Sequence, residues 1–423
     1  MKSFVALGSN LGDRRANLEK AAQAVSRLPA AKLLRASPIV ETPALVPPGA
    51  SEIWRKAFLN AVVEIEWQEK PRDLLKCLKL IEVELGRQPA PRWAPRLIDL
   101  DVLSCGDEII NAEDFQLPHS EMWNRQFVLT PLKHLAPAFR ISGQEQTVLE
   151  RSRALPSPIP LWMAVLNLTP DSFSDGNSLR NAEELEKRVK ALDLENVPIL
   201  DLGAESTRPG ATPLAAPEEW KRLAPALEFV VTKFKSQIFC PAISVDTYHA
   251  ETARKALAMG ATILNDVSGL LSPAMIELLQ QSTCQYVLMH SLTVPADPKV
   301  KLLGENPVTE IKEWLHQKLE LLDTAGIQLD RVIFDPGIGF GKSPEQSLVL
   351  LQQIQSFSDI PVRLMVGHSR KSFLNQWGNH PTSDRDWETV GVSLALADKG
   401  VDILRVHTPD LHQRAFRAFR ETQ

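Results

Sequence analysis

The sequence predicts two domains of different class: an α+β ferredoxin-like domain over residues 1–150 and an α/β TIM-type (β/α)8 barrel over residues 160–423. Strand and helix patterns in the first domain follow the order β-α-β-β-α-β, which is that of ferredoxin-like domains. Eight short apolar segments then recur between residues 161 and 406, mostly with helical patterns between them, as in a (β/α)8 barrel. Residues 151–159 are a predicted proline-rich linker between the two domains.

The composition is that of a soluble globular protein, with 44% hydrophobic residues, 23% charged residues and a net charge of −5. A chain with this charge has no general affinity for nucleic acid, so any anion site must be built locally. The four cysteines are far apart and form no CxxC pair, which argues against a zinc site and fits a reducing compartment. No apolar stretch is long enough for a membrane span or a signal peptide. We therefore expect a cytoplasmic protein without membrane or nucleic-acid partners.

Each element of the first domain has its own local signal. Strands show apolar runs or alternation, and the first helix has apolar residues at helical spacing after a capping Asp13. The second helix begins at Pro71 and ends at Gly86, as proline and glycine favour. The predicted strands are residues 3–7, 32–42, 58–67 and 97–104.

Two carboxylates stand out in the last of these strands. In an extended chain Ile98, Leu100 and Val102 face one way, so Asp99 and Asp101 point together to the other face. Adjacent carboxylates repel each other unless a positive group joins them. Mg²⁺ is a natural candidate, because it takes one or two carboxylates together with substrate phosphates.

Cationic side chains surround this pair in the sequence, namely Arg87, Arg92, Arg96, His119 and Arg125. Cations beside a paired-carboxylate metal site indicate a nucleotide polyphosphate as the ligand. The alternative is a solvated edge strand with surface arginines, and the spacing alone does not decide between the two.

Six motifs of this domain resemble those of 6-hydroxymethyl-dihydropterin pyrophosphokinase. The RWxPRxxDLD pattern, here residues 92–101, is the most specific of them, and the resemblance covers nearly all of residues 1–150. The other motifs are GSN at 8–10, TP at 42–43, FLNA at 58–61, PH at 118–119 and NRQF at 124–127.

The resemblance implies transfer of the terminal diphosphate of ATP to the hydroxymethyl group of 6-hydroxymethyl-7,8-dihydropterin, giving AMP. It implies that Asp99 and Asp101 hold two Mg²⁺ ions and that Arg87 and Arg96 assist catalysis. It also implies a set of ATP contacts and a pocket in which aromatic rings sandwich the flat pterin. The implied ATP contacts are Glu82, Arg87, Arg96, His119 and Arg125, and the pterin contacts are Thr42, Leu45, Phe58, Asn60, Trp93 and Phe127.

One departure from the pattern concerns the loop between Arg87 and Trp93, which is short and reads QPAPR. The resemblance leads us to expect an arginine two residues after Arg87, where this chain has Pro89. Closure of a loop over bound nucleotide and release of product are the steps that such a change would affect.

The second domain carries polar groups where its strands end. The predicted strands are residues 161–167, 197–203, 242–246, 262–266, 285–290, 331–335, 362–366 and 402–406. Seven of the eight ends have a titratable or amide side chain, and the ligand site of a (β/α)8 barrel lies at that rim. A purely structural role would scatter such residues over both rims.

The glycine-rich segment after the sixth barrel strand, residues 336–343, has a spacing close to that of a phosphate-binding P-loop. That motif requires glycine at its first position, where this chain has Pro336, so the match fails. Because glycine permits close approach of the backbone, we interpret the segment as a loop against a ligand.

These loops resemble those of dihydropteroate synthase over the whole barrel. Two small departures are Ala204, where glycine is commoner, and Ser291, where the resemblance suggests methionine. The matching motifs are NLTPDSFSDG at 167–176, ESTRPG at 205–210, SVDT at 244–247, LNDVSG at 264–269, DPGIGFGK at 335–342, SRKS at 369–372 and RVH at 405–407.

The resemblance implies condensation of the pterin diphosphate with p-aminobenzoate, with release of pyrophosphate. Carboxylates and amides suit the polar edge of a pterin, and cations suit the leaving diphosphate. The implied pterin and diphosphate contacts are Thr207, Asp246, Asn265, Met289, Asp335, Phe340, Lys371, Arg405 and His407. The implied p-aminobenzoate contacts are Phe173, Arg208 and Ser369, with one Mg²⁺ near Asn167 and with Asp175, Arg208 and Lys371 as catalytic groups.

Together the two domains match consecutive steps of folate synthesis, so we predict a bifunctional transferase that uses ATP, hydroxymethyl-dihydropterin and p-aminobenzoate. A homodimer through the barrel is expected. One alternative is a pterin-binding methyltransferase barrel, which would explain Asp246, Asn265 and Asp335 but not the first domain. Another is a scaffold with one inactive domain, against which Asp99 and Lys371 argue.

Overall fold

The computed structural model describes residues 1–91, 93–168, 186–187, 189, 197–205, 212–297, 299–304, 306–378 and 380–422. The chain divides into two compact units, one formed by Met1–Pro156 with Ser236–Cys240 and the other by Ser157–Lys235 with Pro241–Gln423. None of the helices in the described ranges combines the length and the apolar composition needed to span a bilayer.

The first unit is built on an antiparallel sheet in which the strands lie in the order β5, β1, β4, β2, with β3 paired to β4. Its elements are β1 Lys2–Ser9, α1 Arg14–Ser26, β2 Ala31–Ala36, β3 Val40–Thr42, β4 Phe58–Trp67, α2 Pro71–Glu84, β5 Asp99–Cys105, β6 Ile110–Asn111, β7 Gln116–Leu117, α3 Gln126–Leu135 and α4 Val148–Ala154. This order confirms the ferredoxin-like class expected from the sequence.

The single strand predicted over residues 32–42 is divided into β2 and β3. Pro38 follows the end of β2 and has no N–H to donate to a ladder. At this point the hydroxyl of Ser37 accepts a hydrogen bond from the backbone N–H of Val62 at 2.9 Å, so a side chain replaces a backbone acceptor beside β4. The proline therefore interrupts the edge of the sheet without leaving the central strand unsatisfied.

The two faces of this sheet have different covers. Helices α1 and α2 pack on one face, where Leu18, Leu78, Leu100 and Val102 belong to one buried core. Helix α3 covers part of the other face, where Leu129 and neighbouring apolar residues form a second core. The predicted alternation of β5 is confirmed, since Leu100 and Val102 lie in the core while Asp99 and Asp101 are only partly buried on the opposite face.

The segment predicted as a linker from residue 151 begins inside helix α4. Thr147 caps this helix: its hydroxyl accepts from the N–H of Glu150, whose carboxylate accepts from the N–H of Thr147. A capping box satisfies backbone N–H groups at the start of a helix, so it stabilises this short helix where no apolar periodicity was seen, and the helix ends before Pro156. The irregular part is therefore shorter than the sequence indicated, and the first boundary between the two units along the chain falls between residues 156 and 157.

The second unit contains a closed barrel of eight parallel strands in chain order, which confirms the predicted (β/α)8 class. Its described elements are β8 Leu161–Asn167, β9 Ile199–Gly203, α5 Ala216–Phe234, β10 Ala242–Asp246, α6 Ala250–Met259, β11 Ile263–Asp266, α7 Pro273–Gln280, β12 Gln285–Met289, α8 Pro307–Thr324, β13 Val332–Asp335, α9 Pro344–Gln352, β14 Arg363–Val366, α10 Asp386–Asp398, β15 Ile403–Val406 and α11 Pro409–Glu421.

The barrel strands are mostly apolar and buried, as parallel strands covered on both sides should be. Their polar residues concentrate at the carboxyl ends. Asp246 at the end of β10 pairs in register with Gly203 of β9 and with Asn265 of β11, so these three positions lie at one level of the barrel. Asp335 ends β13 beside Met289 of β12. The fold therefore gathers residues that are far apart in the sequence at a single rim.

Candidate active sites

A cavity of about 320 Å³ lies in the first unit, on the face of the sheet that carries Asp99 and Asp101. Among the described residues, all but one of the ATP and pterin contacts implied for the first domain line this cavity; the exception is Glu82. The lining includes Asp99, Asp101, Arg87, Arg96, His119, Arg125, Thr42, Leu45, Phe58, Asn60, Trp93 and Phe127. Residues from β3, β4, β5, α3 and three connecting loops thus meet in one place.

The two carboxylates are balanced by cations in this cavity. Asp99 accepts hydrogen bonds from Arg87 at 2.7 Å and from Arg96 at 3.0 and 3.1 Å. Asp101 lies 3.7 Å from the ammonium of Lys79. Asp99 and Asp101 keep 29% and 38% of their side-chain surface exposed, so both remain accessible to a ligand from the cavity.

Glu82 lies behind the cavity and is 3% exposed. Its Oε1 accepts a hydrogen bond from the backbone N–H of Leu100 at 2.7 Å and pairs with Arg87 and with Lys79. Glu82 thus connects helix α2 to strand β5 and anchors two cations of the cavity. Its position is that of a support beneath the nucleotide contacts that the resemblance implied.

Lys79 also lines the cavity and was not identified from the sequence. Its ammonium donates to Glu82 at 3.0 Å and to the carbonyl oxygen of Leu100 at 2.8 Å. The available signal was the spacing of Lys79 and Glu82, three residues apart on a predicted helix, which brings such a pair together.

The part of the cavity assigned to the pterin combines rings with an oriented amide. The side-chain amide of Asn60 donates to the hydroxyl of Thr42 at 2.9 Å, which fixes its orientation. The Arg125 guanidinium lies 5.6 Å from the centre of the Phe127 ring, within the range of a cation–π contact. Trp93 adopts a left-handed backbone conformation with φ 75°, which is uncommon for a residue other than glycine.

At the mouth of the barrel, Arg405 joins two carboxylates from different strands. Its guanidinium donates to Asp201 on β9 at 2.6 Å and to Asp246 on β10 at 2.9 Å. The Asn265 amide group also donates to Asp201, at 3.2 Å. Three of the predicted pterin contacts are thus brought together around one carboxylate. Asp201 itself was missed, and the signal for it was a single acid within the otherwise apolar strand ILDLG.

A second group of predicted residues surrounds the loop after β13. Asp335 is 3% exposed, and its Oδ1 accepts from the N–H of Gly337 at 2.7 Å. The Lys371 ammonium donates to the carbonyl oxygen of Ile338 and lies 4.6 Å from the centre of the Phe340 ring. Asp335, Phe340 and Lys371 therefore share one corner of the barrel rim.

Beside this corner, the hydroxyl of Ser369 hydrogen-bonds Nδ1 of His407 at 2.9 Å. Met289 is buried at the end of β12, and Asn167 ends β8 in register with Gly203. The remaining assigned residues of this domain, Phe173, Asp175, Thr207 and Arg208, lie outside the described residues, as does Arg92 of the first domain.

Burial changes the proton affinity of three groups at the rim. It raises the pKa of Asp246 to about 7; Arg405 opposes this rise and Asp201 adds to it. Burial lowers the pKa of Lys371 to about 8, with the Asp335 carboxylate acting in the opposite direction. Burial likewise raises the pKa of Asp335 from its ordinary value, against the charge of Lys371. Perturbed carboxyl and amine groups that converge on one rim are typical of a functional site.

A buried lysine that the sequence did not indicate, Lys342, lies under the loop after β13, and burial lowers its pKa well below the ordinary value. Lys342 donates to Nδ1 of His290 at 2.6 Å and to the carbonyl oxygen of His290 at 2.9 Å. Burial lowers the pKa of His290 to about 2, and the charge of Lys342 adds to this effect, so the imidazole is neutral and can accept. This pair fixes the loop to the end of β12.

Within the described part of the chain, no group of three or more His, Cys, Asp or Glu side chains is arranged to hold a metal ion. Two carboxylates with substrate phosphates are nevertheless a sufficient set for Mg²⁺, which retains several waters. The Asp99 and Asp101 pair, two hard oxygen donors on one face of β5, fits this requirement.

These two sites define a class of protein. The first unit combines paired carboxylates with a cluster of cations in a cavity, as enzymes of phosphoryl transfer do. The second unit is a (β/α)8 barrel whose rim carries acids, an amide and cations, as an enzyme acting on a polar heterocycle with an anionic group requires. The molecule is therefore a two-site transferase.

Comparison with known proteins identifies the family. Residues 4–137 match the family described as 7,8-dihydro-6-hydroxymethylpterin-pyrophosphokinase, and residues 163–407 match the family described as pterin binding enzyme. The chain is 34% identical to the folate synthesis bifunctional protein of Chlamydia trachomatis, over 98% of this chain and 96% of that protein. It is 33% identical to the mitochondrial folate synthesis bifunctional protein of Arabidopsis thaliana, over 95% and 80% of the two chains.

Solved structures agree for the barrel. Dihydropteroate synthase from Xanthomonas albilineans with 4-aminobenzoic acid shares 32% identity at a TM-score of 0.57, covering 62% of this chain and 93% of that one. The enzyme from Anaplasma phagocytophilum with 6-hydroxymethylpterin-monophosphate shares 30% identity at a TM-score of 0.56, covering 62% and 99%.

The chain belongs to the family of folate synthesis bifunctional proteins. It is a bifunctional transferase of folate biosynthesis, with a hydroxymethyl-dihydropterin pyrophosphokinase unit and a dihydropteroate synthase unit. The family resemblance and the activity predicted from the sequence are both confirmed.

Proposed function

We propose that the cavity of the first unit binds ATP, two Mg²⁺ ions and 6-hydroxymethyl-7,8-dihydropterin together. Asp99 and Asp101 would hold the metal ions, which when bound neutralise charge on the polyphosphate. The observation that carries this proposal is the common cavity, which all but one of the implied ATP and pterin contacts line. In phosphoryl transfer most of the catalysis comes from positioning and electrostatics, so such convergence matters more than any single side chain.

The cations of this cavity have two successive partners in the proposed mechanism. In the structure Arg87 and Arg96 both donate hydrogen bonds to Asp99. When the carboxylates bind metal, these guanidinium groups can turn to the phosphate oxygens, for which their fork geometry is suited. The pterin hydroxyl oxygen then attacks the β-phosphorus and loses its proton to solvent, while the bond between the β-phosphorus and the bridging oxygen of the α-phosphate breaks and AMP leaves with that oxygen.

In the second unit we assign Asp246, Asn265 and Asp335 to the polar edge of the pterin. Burial and hydrogen bonding support this assignment, because each group is fixed by a neighbour and lies at the barrel rim. Met289 and Phe340 supply apolar contacts beside the ring. Thr207, as the resemblance implies, completes the contacts to the pterin diphosphate.

The leaving diphosphate is assigned to Arg405, His407 and Lys371. As the carbon–oxygen bond to the diphosphate breaks, positive charge develops on the methylene carbon, and Asp175 is assigned to stabilise it. The amine of p-aminobenzoate donates its lone pair to this carbon and loses one proton, while Phe173, Arg208 and Ser369 bind this substrate. Asn167 is the residue that would hold a Mg²⁺ here through its side-chain oxygen, and the ion would add positive charge at the diphosphate.

The proposed homodimer has a candidate surface on the barrel. Helices α9 and α10 border an apolar hollow of about 410 Å³, to which Leu348, Leu351, Val392 and Trp377 contribute. Trp377 is 53% exposed. An exposed apolar area of this kind is typical of an interface between copies.

The decisive experiment supplies the purified chain with isotope-labelled hydroxymethyl-dihydropterin, ATP, Mg²⁺ and p-aminobenzoate. Labelled dihydropteroate is the expected product, and its formation should require all three added components. Omission of p-aminobenzoate should leave labelled pterin diphosphate, which separates the two steps. A chain that makes the diphosphate but no dihydropteroate would contradict the assignment of the barrel site.

A further inference from the structure

Asp201 lies one layer below the rim of the barrel. In register it pairs with Ser244, whereas Gly203, two residues further along β9, pairs with Asp246 at the level of Asn265. Its side chain is completely buried in a strand whose other residues are apolar. A charged group at this depth is costly unless hydrogen bonds compensate it, so its contacts should explain its presence.

One oxygen of this carboxylate accepts two hydrogen bonds. Oδ2 of Asp201 accepts from Arg405 at 2.6 Å and from the Asn265 amide at 3.2 Å. Arg405 in turn donates to Asp246 at 2.9 Å. A single buried acid therefore contacts two rim residues directly and a third through the guanidinium.

The contact with Asp201 fixes which end of the Asn265 amide faces the barrel rim. An ionised carboxylate accepts hydrogen bonds and cannot donate them, so it must face the NH₂ group of Asn265. The Oδ1 atom of Asn265 is then left as an acceptor, and among the described residues it has no hydrogen-bond partner although it is buried. A buried acceptor without a partner costs stability, which a ligand with an N–H group would restore.

We propose that Asp201 is a positioning residue of the synthase site, which holds the Asn265 amide with its oxygen toward the pterin and holds Arg405 against Asp246. The inference rests on the proposed assignment of Asn265 and Arg405 to the substrate. Asp201 itself lies in the layer beneath and acts through these two side chains.

The chemistry of the ligand explains why orientation matters. A dihydropterin presents N–H groups along its polar edge, so the site needs acceptors there. If the Asn265 amide turned over, its NH₂ would face a donor of the ligand, and the hydrogen bond would become a repulsion. Sites built to hydrogen-bond a ligand lose much of their affinity when one buried group is mismatched.

The test is a double-mutant cycle of Asp201→Asn and Asn265→Ala in the full chain, with KM for pterin diphosphate and kcat measured separately. The Asp201→Asn amide can donate to Asn265 and permits either orientation. We expect KM to rise about tenfold or more in each single variant, with a smaller change in kcat. In the double variant the combined effect on KM, expressed as a free energy, should be much smaller than the sum of the two single effects. Each substitution removes the same oriented acceptor, so the second has little left to remove.

Asp266→Asn is the matched control. Asp266 is also completely buried, on the neighbouring strand β11, but it accepts from the Tyr286 hydroxyl at 2.6 Å and from the N–H of Ser268 at 2.7 Å. Its replacement should lower the melting temperature of the barrel and leave KM for pterin diphosphate unchanged. Equal rises in KM for Asp266→Asn and Asp201→Asn would reduce Asp201 to a structural role.

The outcomes separate this inference from the function on which it rests. An unchanged KM in Asn265→Ala would contradict the assignment of Asn265 to the pterin, whatever Asp201→Asn does. A raised KM in Asn265→Ala with additive effects in the double variant would overturn the positioning role of Asp201 alone. Asp201→Ser, which keeps one acceptor oxygen without a charge, replaces Asp201→Asn in the same cycle if the latter does not fold.

Discussion

Burial shifts the pKa values of charged side chains at the barrel rim, and neighbours of opposite charge oppose these shifts. Arg405 lies between Asp201 and Asp246, and Lys371 lies near Asp335 and Arg405. Because these groups are buried or only partly exposed, the loss of any one charge changes the others more than it would at a surface. Single substitutions at this rim should therefore change pH profiles as well as rates.

Lys371→Gln should slow the condensation by roughly ten- to thousandfold, since it removes a cation assigned to the leaving diphosphate. In the unsubstituted chain, burial lowers the pKa of Lys371 to about 8, so activity should fall as pH rises through that value. The variant should lack this alkaline decline. Rates at limiting pterin diphosphate, measured between pH 6 and pH 10 (about the span over which this lysine titrates), test both points.

The same lysine should affect stability in a defined direction. Its folded-state pKa, about 8, is below the ordinary value of 10.5, so between these values the unfolded chain binds more protons. Stability contributed by this group therefore rises with pH across that window. Lys371→Gln should remove this rise in denaturant titrations. If the pH dependence of stability is the same in the variant and in the unsubstituted chain, the pKa of Lys371 is not lowered in the folded state.

Asp99→Asn and Asp101→Asn should each reduce diphosphoryl transfer by about a hundredfold or more, because an amide is a poor substitute for an anionic Mg²⁺ ligand. Condensation of supplied pterin diphosphate should be unaffected. Asp107→Asn, an exposed acid two residues after β5, is the matched control and should leave both rates unchanged. Loss of both activities in Asp99→Asn would argue against independent sites.

The loop after β13 is the element on which the rim depends most. Gly337 has φ +67°, and a Cβ there would lie 1.9 Å from the carbonyl oxygen of His290. Both the backbone conformation and the close approach therefore require glycine. The loop also carries Phe340 and the carbonyl oxygen that accepts from Lys371, so its displacement should affect the site as well as the fold.

Gly337→Ala should lower the free energy of unfolding of the second unit by more than about 4 kcal/mol, the range of severe steric substitutions. Gly326→Ala is its control, since Gly326 also has a positive φ, +75°, but a Cβ there would meet nothing within 4 Å. The control should lose only about 1–2 kcal/mol, the cost of the left-handed conformation. Thermal melts of both variants decide the matter; equal losses would mean that the contact with His290 is relieved by a small shift.

Over the whole molecule, association of two copies should bury the apolar surface along α9 and α10. Val392→Glu should place a charge in that interface and shift the chain from dimer to monomer. Ile109→Glu is the control, because Ile109 is 68% exposed and belongs to the first unit, so it is not part of the surface along α9 and α10. Sedimentation equilibrium measures the change. A dimer that persists in Val392→Glu would exclude this surface as the interface.

The sequence alone determined the fold class of both units and the rim on which the barrel residues lie. These features depend on local properties that can be recognised within a few residues of sequence. They are the alternation in β5, the apolar barrel strands, and the helix signals at Pro71 and Gly86. The position of Asp246, Asn265 and Asp335 at strand ends follows from the same signals together with the parallel topology.

Tertiary structure decided which side chains act on one another. Asp201 and Arg405 are 204 residues apart in the chain, and their contact exists only because β9 and β15 both flank β8 in the closed barrel. Glu82 likewise becomes a support for Arg87 and Lys79 only when α2 packs beside β5. The sequence shows that a polar residue lies in an otherwise apolar strand. Its partners depend on strand register and on closure of the barrel, which no local sequence pattern contains.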